Sequence, residues 1–232
     1  MATAKEIRAE VDTIFATRWE KRNGQIVPDS EDVELGNDAV QIEGTVLYAD
    51  LADSTELVDS YKDYFAAEIY KAYLVAACRI IRDNDGEITA FDGDRVMAVY
   101  LGDSKNSNAA RSALKINWAV KKVIGPAVKK AYPDTSFNLK QAVGIDTSAL
   151  FVARTGIRGS NDLVWVGRAA NYAAKLSAAK EAGHSSLITE AVFNKLNEKS
   201  KYGGEPRRVM WEKVMWREMG ITVYGSNWWW EI

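Results

Sequence analysis

The chain has 232 residues, of which 47% are hydrophobic, and its formal net charge at pH 7 is −2. This hydrophobic content excludes a disordered chain, and the near-neutral charge excludes a protein that coats nucleic acid with a basic surface. The single cysteine, Cys78, excludes a fold built on intrachain disulfides. The N-terminal residues lack the apolar core of a signal peptide, and no segment has the length and apolarity of a membrane span. We therefore expect a cytoplasmic protein with one large domain, with or without embellishments.

The N-terminal half alternates predicted helices with predicted strands. Apolar residues at helical spacing from Ile7 to Trp19 predict an amphipathic helix over residues 5–21. An acidic segment, residues 28–37, follows and indicates a linker. The next predicted elements are a buried strand over 45–49, one or two helices over 57–82, and a strand pair over 87–94 and 95–101.

The C-terminal half continues the alternation and ends in a segment rich in tryptophan. The predicted elements are a helix over 106–131, strands over 139–145, 150–153 and 163–166, a helix around Arg168, a strand over 187–189 and a last helix over 190–199. A turn at 225–227 between β-prone runs over 221–224 and 228–232 predicts a closing hairpin. Such alternation predicts an α+β or α/β sheet layered by helices. We divide the chain into an N-terminal helix and linker (1–40), a main domain (41–200) and a C-terminal extension (201–232).

Two aspartates interrupt apolar, β-prone runs. Asp50 ends the predicted strand before Ser54 and Thr55 open a helical pattern, and Asp94 lies in the tight turn of the strand pair. Two carboxylates on neighbouring strand ends can hold a pair of hard divalent cations, which bridge the oxygens of a triphosphate. The alternative is that Asp50 caps a helix and Asp94 serves a hairpin turn. Asp53, with Glu56 three residues on, already predicts a capping box for that helix, so Asp50 is not needed as its cap.

A third polar pair occurs where a predicted strand over 163–166 becomes a helix. Asn171 and Lys175 are four residues apart, so they share one face of that helix. An amide and a cation that project together suit a ribose oxygen and a phosphate. Taken alone, the pair is more typical of a solvated helix face.

These three segments, in this order, resemble the class III nucleotidyl cyclases, the adenylate and guanylate cyclase superfamily. The resemblance runs from about Gly44 to Leu187. It implies a palm-like mixed sheet layered by helices and a head-to-tail homodimer with two shared active sites. By the resemblance, two Mn²⁺ or Mg²⁺ ions are held by Asp50, Asp94 and the Leu51 carbonyl. Asn171 falls on the family's ribose-orienting residue, and Lys175 on its transition-state arginine.

Lys175 departs from the family pattern. Lysine keeps the positive charge but lacks the planar fork of donors with which arginine contacts two oxygens. Arg95 or Arg168 can supply the missing contact, and Arg95 is favoured because it directly follows Asp94. The alternative for Arg95 is an exposed position at a strand end.

The base-selecting positions also depart from the pattern of the purine cyclases. In the family, a lysine or glutamate and an aspartate or small residue read the base, and these positions fall on Ala90 and Val164. Neither side chain forms hydrogen bonds, so selectivity must come from other groups or from pocket size. The remaining expected substrate contacts are the polar side chain of Tyr48 and the loop that follows Asp50, namely Leu51, Ala52, Asp53, Ser54 and Thr55.

A short cyclase without the purine-reading pair resembles the bacterial pyrimidine cyclases of the Pycsar anti-phage systems. This resemblance implies cyclic UMP or cyclic CMP as the product, with UTP as the expected substrate and a separate effector that the product activates. The alternatives are a cytidylate or purine cyclase and a catalytically dead nucleotide-binding module. A diguanylate cyclase is disfavoured because the chain lacks a Gly-Gly-Asp-Glu-Phe run.

Overall fold

The computed structural model describes residues 2–179 and 183–232. Eight α-helices lie within these residues: α1 Ala4–Ala16, α2 Ser54–Ser60, α3 Asp63–Arg82, α4 Lys105–Ala119, α5 Gly125–Ala131, α6 Arg168–Ala178, α7 Glu190–Asn194 and α8 Glu198–Lys201. The described strands are β1 Glu20–Asn23, β2 Asp38–Leu51, β3 Gly86–Asp92, β4 Arg95–Tyr100, β5 Gln141–Ile157, β6 Ser160–Val166, β7 Ser186–Thr189, β8 Tyr202–Gly203, β9 Arg208–Val209, β10 Glu212–Trp216 and β11 Ile221–Ser226. A π-helical turn, Val120–Ile124, joins α4 to α5.

The chain forms two compact units, to both of which β2 and β5 contribute residues. The first unit is Met1–Glu43 with Ala149–Gly167, and the second is Gly44–Ser148 with Arg168–Ile232. In the second unit the strands of the mixed sheet are ordered β10-β11-β7-β5-β2-β4-β3. Strand β4 pairs antiparallel with both β2 and β3, while β7 pairs parallel with β5.

Helices cover both faces of the sheet in the second unit. The neighbouring residues Leu187 and Ile188 of β7 point to opposite faces. Ile188 belongs to the large core under α3 and α4, and Leu187 to a smaller core under α6. Helix α6 packs directly on the backbone of β5 at Gly144, where an added Cβ would lie 2.1 Å from the carbonyl of Ala173. This packing fixes the position of the helix that carries Asn171 and Lys175.

The first unit combines α1, β1 and the hairpin of β5 with β6. Strand β1 pairs parallel with the start of β2, and the hairpin register runs from Phe151 opposite Val166 to Ile157 opposite Ser160. Trp19 packs edge-on against Phe151, with ring centroids 5.0 Å apart. The hairpin and the N-terminal segment therefore form a unit in their own right.

The predicted α+β fold, a mixed sheet layered by helices, is confirmed, while several predicted boundaries were wrong. The N-terminal helix ends at Ala16 rather than at residue 21, because Thr17 is extended and the Asn37 side chain donates to the carbonyls of Ile14 and Thr17 at its end. The two strands predicted over 139–145 and 150–153 are one continuous strand, β5. The last predicted helix, 190–199, is two short helices, α7 and α8.

The predicted C-terminal hairpin was wrong in its pairing. Strand β11 pairs with β10, and residues 228–232 form no strand. The side chain of Asn117 donates to the carbonyls of Asn227 and Trp228, and the N–H of Trp230 donates to the carbonyl of Leu114. These contacts hold the last residues against α4 instead of in the sheet. Across the part of the chain that the structure describes, no helix has the length and apolarity of a membrane span.

Candidate active site

Asp50 and Asp94 lie on neighbouring strands of the second unit. Strand β2 carries Asp50 near its end, and Asp94 lies in the turn that leads into β4. Because Ala49 is opposite Val96 in the antiparallel register, the positions of the two aspartates meet at the same end of the strand pair. The predicted juxtaposition of the two residues is therefore present in the fold.

The electrostatic environment of Asp50 disfavours a negative charge on its carboxyl group. Burial, and secondly the nearby carboxylate of Asp94, raises the pKa of Asp50 to about 6, although the charge of Arg95 partly offsets the shift. Among the described residues, the buried Oδ2 atom of Asp94 has no hydrogen-bond partner. A buried carboxylate oxygen without a partner costs free energy, and a divalent cation between two carboxylates would remove that cost. The donor set therefore fits hard cations.

Two tyrosines of α3, which sequence analysis missed, adjoin the aspartates. The fully buried Tyr73 hydroxyl donates to the carbonyl of Asp50 at 3.1 Å, and its burial raises the pKa of this phenol well above its ordinary value. Burial, and then the charge of Asp94, also raises the pKa of Tyr70, whose hydroxyl is hydrogen-bonded to Ser54. Helix α3 thus holds both the strand end and the loop after it. The sequence gives only their positions on a helix, not their long-range contacts.

Arg95 lies beside Asp50 rather than free at a strand end. Its guanidinium forms an ion pair with Asp92, with Nη2 2.6 Å from Oδ2, and lies 5.3 Å from the centroid of the Tyr48 ring. The Nε atom of Arg95 is buried and has no partner among the described residues. The structure therefore brings Tyr48, Asp50 and Arg95 together.

The loop after Asp50 lines a cleft of about 870 Å³ at the end of the sheet, together with Asp50 and the residues through Glu56. Asp53 adopts a left-handed conformation, with φ of 62°, at the start of α2. The predicted capping box was wrong, because the Asp53 side chain makes no capping hydrogen bond in that conformation. The N–H of Ala52 donates to the carbonyl of Lys140 at 3.1 Å, which ties the loop to the segment before β5.

The same cleft contains polar residues that sequence analysis did not select. The lining of this cleft also includes Lys121, Lys140, Gln141 and His184. Gln141 donates to the carbonyl of Ser185, and His184 lies 3.2 Å from Glu212 through Nε2. These residues are distant in sequence from the aspartate motifs, so no local spacing could have indicated them.

Asn171 and Lys175 share an exposed face of α6, as their spacing predicts. Among the described residues, neither lines the cleft that Asp50 lines. The ammonium of Lys175 lies 3.3 Å from the carboxylate of Glu218, and both side chains are largely exposed. The end of the same helix does line the cleft, through Ser177 and Ala178, while Asp94 is likewise outside the lining.

Arg168 serves the fold instead of the site. It forms an ion pair with the fully buried Asp146, with Nε 2.9 Å from Oδ2, and donates to the carbonyl of Thr147 at 2.8 Å. Thr189 also donates to Asp146. Removing Arg168 would leave a buried carboxylate without its cation. Of the two arginines considered as a supplement to Lys175, Arg95 is thus the one near the aspartates.

The two apolar positions for which the resemblance implies base selection belong to different units, and each is on a strand. Ala90 is half-buried on β3, opposite Met97, next to an irregularity of the register. Val164 is 38% exposed on β6, opposite Ala153. Neither of these side chains has a polar group.

No protein-family model matches the chain. The chain is 49% identical over 234 aligned positions to a uridylate cyclase of Xanthomonas perforans and 50% identical to one of Burkholderia cepacia, with all of both chains covered in each case. Among solved structures, the adenylyl cyclase CyaB from P. aeruginosa is similar, with a TM-score of 0.66 at 20% identity. That comparison covers 81% of this chain and 95% of the cyclase, and at such identity it concerns the fold alone.

Proposed function

Because this chain belongs to the class III nucleotidyl cyclases, we propose that it converts UTP to 3′,5′-cyclic UMP and pyrophosphate. The observation that carries the proposal is the Asp50–Asp94 pair, with a raised pKa at Asp50 and an unpartnered buried oxygen at Asp94. The full-length relatives named uridylate cyclases support the choice of base.

Two divalent cations, Mn²⁺ or Mg²⁺, fit the site. Asp50, Asp94 and the carbonyl of Leu51 would hold them. When bound, such ions lower the pKa of a coordinated hydroxyl and neutralise triphosphate charge. The chain's own contribution is to hold both carboxylates at one end of the strand pair, with Tyr73 fixing the backbone at Asp50.

Different residues would contact the triphosphate, the ribose and the α-phosphate of the nucleotide. Residues 51–55 would line the triphosphate, while Tyr48 and Arg95, which adjoin Asp50, would contact the nucleotide. Asn171 would orient the ribose, and Lys175 would neutralise the α-phosphate as a point charge. Because Asn171 and Lys175 lie on an exposed face of α6, we propose, following the family resemblance, that they come from a second copy in a head-to-tail homodimer with two equivalent sites.

The absence of hydrogen-bonding side chains at the two base-selecting positions favours a pyrimidine. Ala90 and Val164 offer no hydrogen bonds, so a purine edge buried against them would lose its bonds to water at roughly 1–3 kcal/mol per group. A smaller base, held by backbone groups or by Tyr48, loses less. The preference for UTP over CTP follows the relatives' names and has no side-chain argument of its own.

The cellular role we propose follows from the resemblance to the Pycsar group. The cyclic nucleotide would activate a separate effector during anti-phage defence, in the cytoplasm, where nucleoside triphosphates are made. The net charge of −2 argues against a role in coating nucleic acid.

The second candidate function is a catalytically dead nucleotide-binding module, which the lysine at position 175 favours. Arginine's fork is replaced by a single ammonium, and that ammonium has an acidic neighbour, Glu218. The pair is largely exposed, however, and exposed pairs contribute at most about 1 kcal/mol. This weak ion pair with Glu218 therefore leaves the Lys175 ammonium able to bind a phosphate instead.

Incubation of the purified chain with each of UTP, CTP, ATP and GTP tests the proposal. Mn²⁺ and Mg²⁺ are supplied in separate reactions, and the products are identified by mass spectrometry. We expect cyclic UMP as the main product and none from Asp94→Ala, whose fold is verified by circular dichroism. Equal turnover of ATP and UTP would contradict pyrimidine selectivity, and no product from any nucleotide would favour the binding module.

A further inference from the structure

The charges of the chain are distributed unevenly around its net value of −2. Residues 105–131, which form α4, the π-helical turn and α5, contain seven lysines and arginines and no aspartate or glutamate. Of the chain's 30 basic residues, 23 remain for its other parts, together with all 32 acidic ones, so those parts have a net charge of −9. Such an asymmetry indicates a local surface for an anionic partner.

The side of α4 that faces away from the core is basic. Arg111 and Lys115 are four residues apart and share this face, and Lys122 in the π-helical turn that follows is also exposed. Ten of the 15 residues of α4 are buried. The five that are not buried are Lys105, Asn108, Arg111, Lys115 and Trp118. The outer face of α4 therefore combines three cations with an amide and an indole.

The last residues of the chain, 227–232, which we call the C-terminal strap, bring further indoles to these cations. The strap lies against α4 through the backbone hydrogen bonds described above. The ammonium of Lys122 lies 5.2 Å from the centroid of the Trp229 ring, and the guanidinium of Arg111 lies 5.6 Å from that of Trp230. Trp229 is 46% exposed. Because a cation covers only one face of a ring, indole surface is left beside the cations for another flat group.

Cations interleaved with indoles fit single-stranded nucleic acid best among anionic partners. Its phosphates contact cations and its unpaired bases stack on aromatic rings, the combination by which proteins bind single strands without sequence preference. A lipid bilayer is disfavoured because the apolar residues of α4, such as Leu114 and Ile116, are buried in the large core, whereas interfacial helices insert an apolar face. An acidic protein would engage the cations and leave the indoles without a flat partner.

We infer that Arg111, Lys115, Lys122 and the indoles of the C-terminal strap bind single-stranded DNA or RNA. The site is short, since the 15 residues of α4 span only about 22 Å, and it therefore differs from the extended basic surface that the net charge excludes. The described residues that line the Asp50 cleft include none of these side chains. The inference is thus independent of the proposed function.

The test measures binding of fluorescein-labelled 20-nucleotide oligo(dT) and oligo(U) to the full chain by fluorescence anisotropy. EDTA is present, so that no divalent cation can hold a strand in the cleft. Between 50 and 200 mM salt we expect a Kd on the order of 1–100 µM and a slope of log K against log salt of about −2, as three cations on a single strand give.

Removal of two cations should weaken binding and reduce its dependence on salt. The double variant Lys115→Gln/Lys122→Gln should raise the Kd about ten-fold or more and bring the slope to about −0.7. The matched control is Lys62→Gln/Lys71→Gln, which removes two exposed lysines at α3 and should leave both values unchanged. Circular dichroism verifies the fold of each variant.

Removal of the exposed indole should weaken binding without changing the salt slope. Trp229→Ala should raise the Kd about five-fold or more, and Trp229→Phe should keep most of the affinity because its ring can still stack. No binding of either oligonucleotide, an unchanged Kd in the lysine and alanine variants, or an equal loss in the α3 control would overturn the inference. Competition by polyglutamate as effective as that by unlabelled oligonucleotide would overturn it in favour of an acidic protein. Cosedimentation with phosphatidylserine vesicles without oligonucleotide binding would overturn it in favour of a membrane.

Discussion

Burial and the nearby Asp94 carboxylate raise the pKa of Asp50 to about 6, from about 4 in an unfolded chain. Between these values the folded protein keeps a proton that the unfolded chain has lost. The stability that this proton provides is fully present below about pH 4 and is lost as the pH rises through 6. At neutral pH without metal, the charged Asp50 therefore destabilises the fold by about 1–2 kcal/mol, since the partly exposed carboxylate is screened by solvent.

Asp50→Asn should accordingly stabilise the metal-free protein while abolishing activity. At pH 7.5 in EDTA we expect a gain of about 1–2 kcal/mol in the free energy of unfolding, which shrinks towards pH 4.5. Urea unfolding at both pH values measures it, and Asp59→Asn, an exposed carboxylate on α2, is the control. A less stable Asp50→Asn protein at pH 7.5 would contradict this account of the site.

Lys175 is predicted to act on the transition state through its charge. Lys175→Ala should lower kcat by roughly 10²–10³, with a smaller change in KM, because a charge aimed at the reacting phosphate matters most in the transition state. Lys175→Arg should keep most of the activity. Steady-state kinetics measure both, and Glu218→Gln, which removes the acidic neighbour, is the matched control. Unchanged kcat in Lys175→Ala would remove this residue from the mechanism.

At the residue scale, sequence reasoning found the groups that carry a local pattern. Asp50 and Asp94 interrupt apolar strands, so their positions near each other could be predicted. Tyr73 could not, since its bond to the Asp50 carbonyl joins residues 23 apart through a helix docked on the sheet. Arg168 was ambiguous for the same reason, because its buried partner Asp146 belongs to another element.

At the scale of elements, α3 supports the strand end that carries Asp50. Tyr73→Phe removes the hydroxyl that donates to the Asp50 carbonyl, and we expect it to lower activity about ten-fold and stability by about 1 kcal/mol. Tyr100→Phe is the control, because Tyr100 is also buried and donates to Ser112, away from the aspartates. It should cost similar stability and leave kcat unchanged. Equal activity of both variants would contradict a positioning role for Tyr73.

The elements themselves were predictable where the apolar period was long. The one or two helices predicted over 57–82 are two, α2 and α3, and the strand pair around Asp94 lies close to its predicted bounds. The C-terminal hairpin was mispredicted because Trp228–Ile232 has strong β-propensity, yet Asn117 and Leu114 of α4 take up its backbone groups. Tertiary contacts thus overrode local preference.

At the scale of the whole molecule, the account requires two copies for one complete site. Asp50 and Asp94 lie at one end of the β2–β4 strand pair, while Asn171 and Lys175 lie on an exposed face of α6. A head-to-tail pair would bring the two sets together twice, by two-fold symmetry.

The most direct test of this central claim mixes two inactive variants, Asp50→Ala and Asn171→Ala. In an equal mixture half of the dimers are mixed, and each mixed dimer has one intact site of two, so about a quarter of wild-type activity should return. Differently tagged chains and a pull-down verify that subunits have exchanged, and cyclic nucleotide is measured by mass spectrometry. Recovery to about that level is the predicted result. No recovery despite verified exchange would contradict a site shared between two copies.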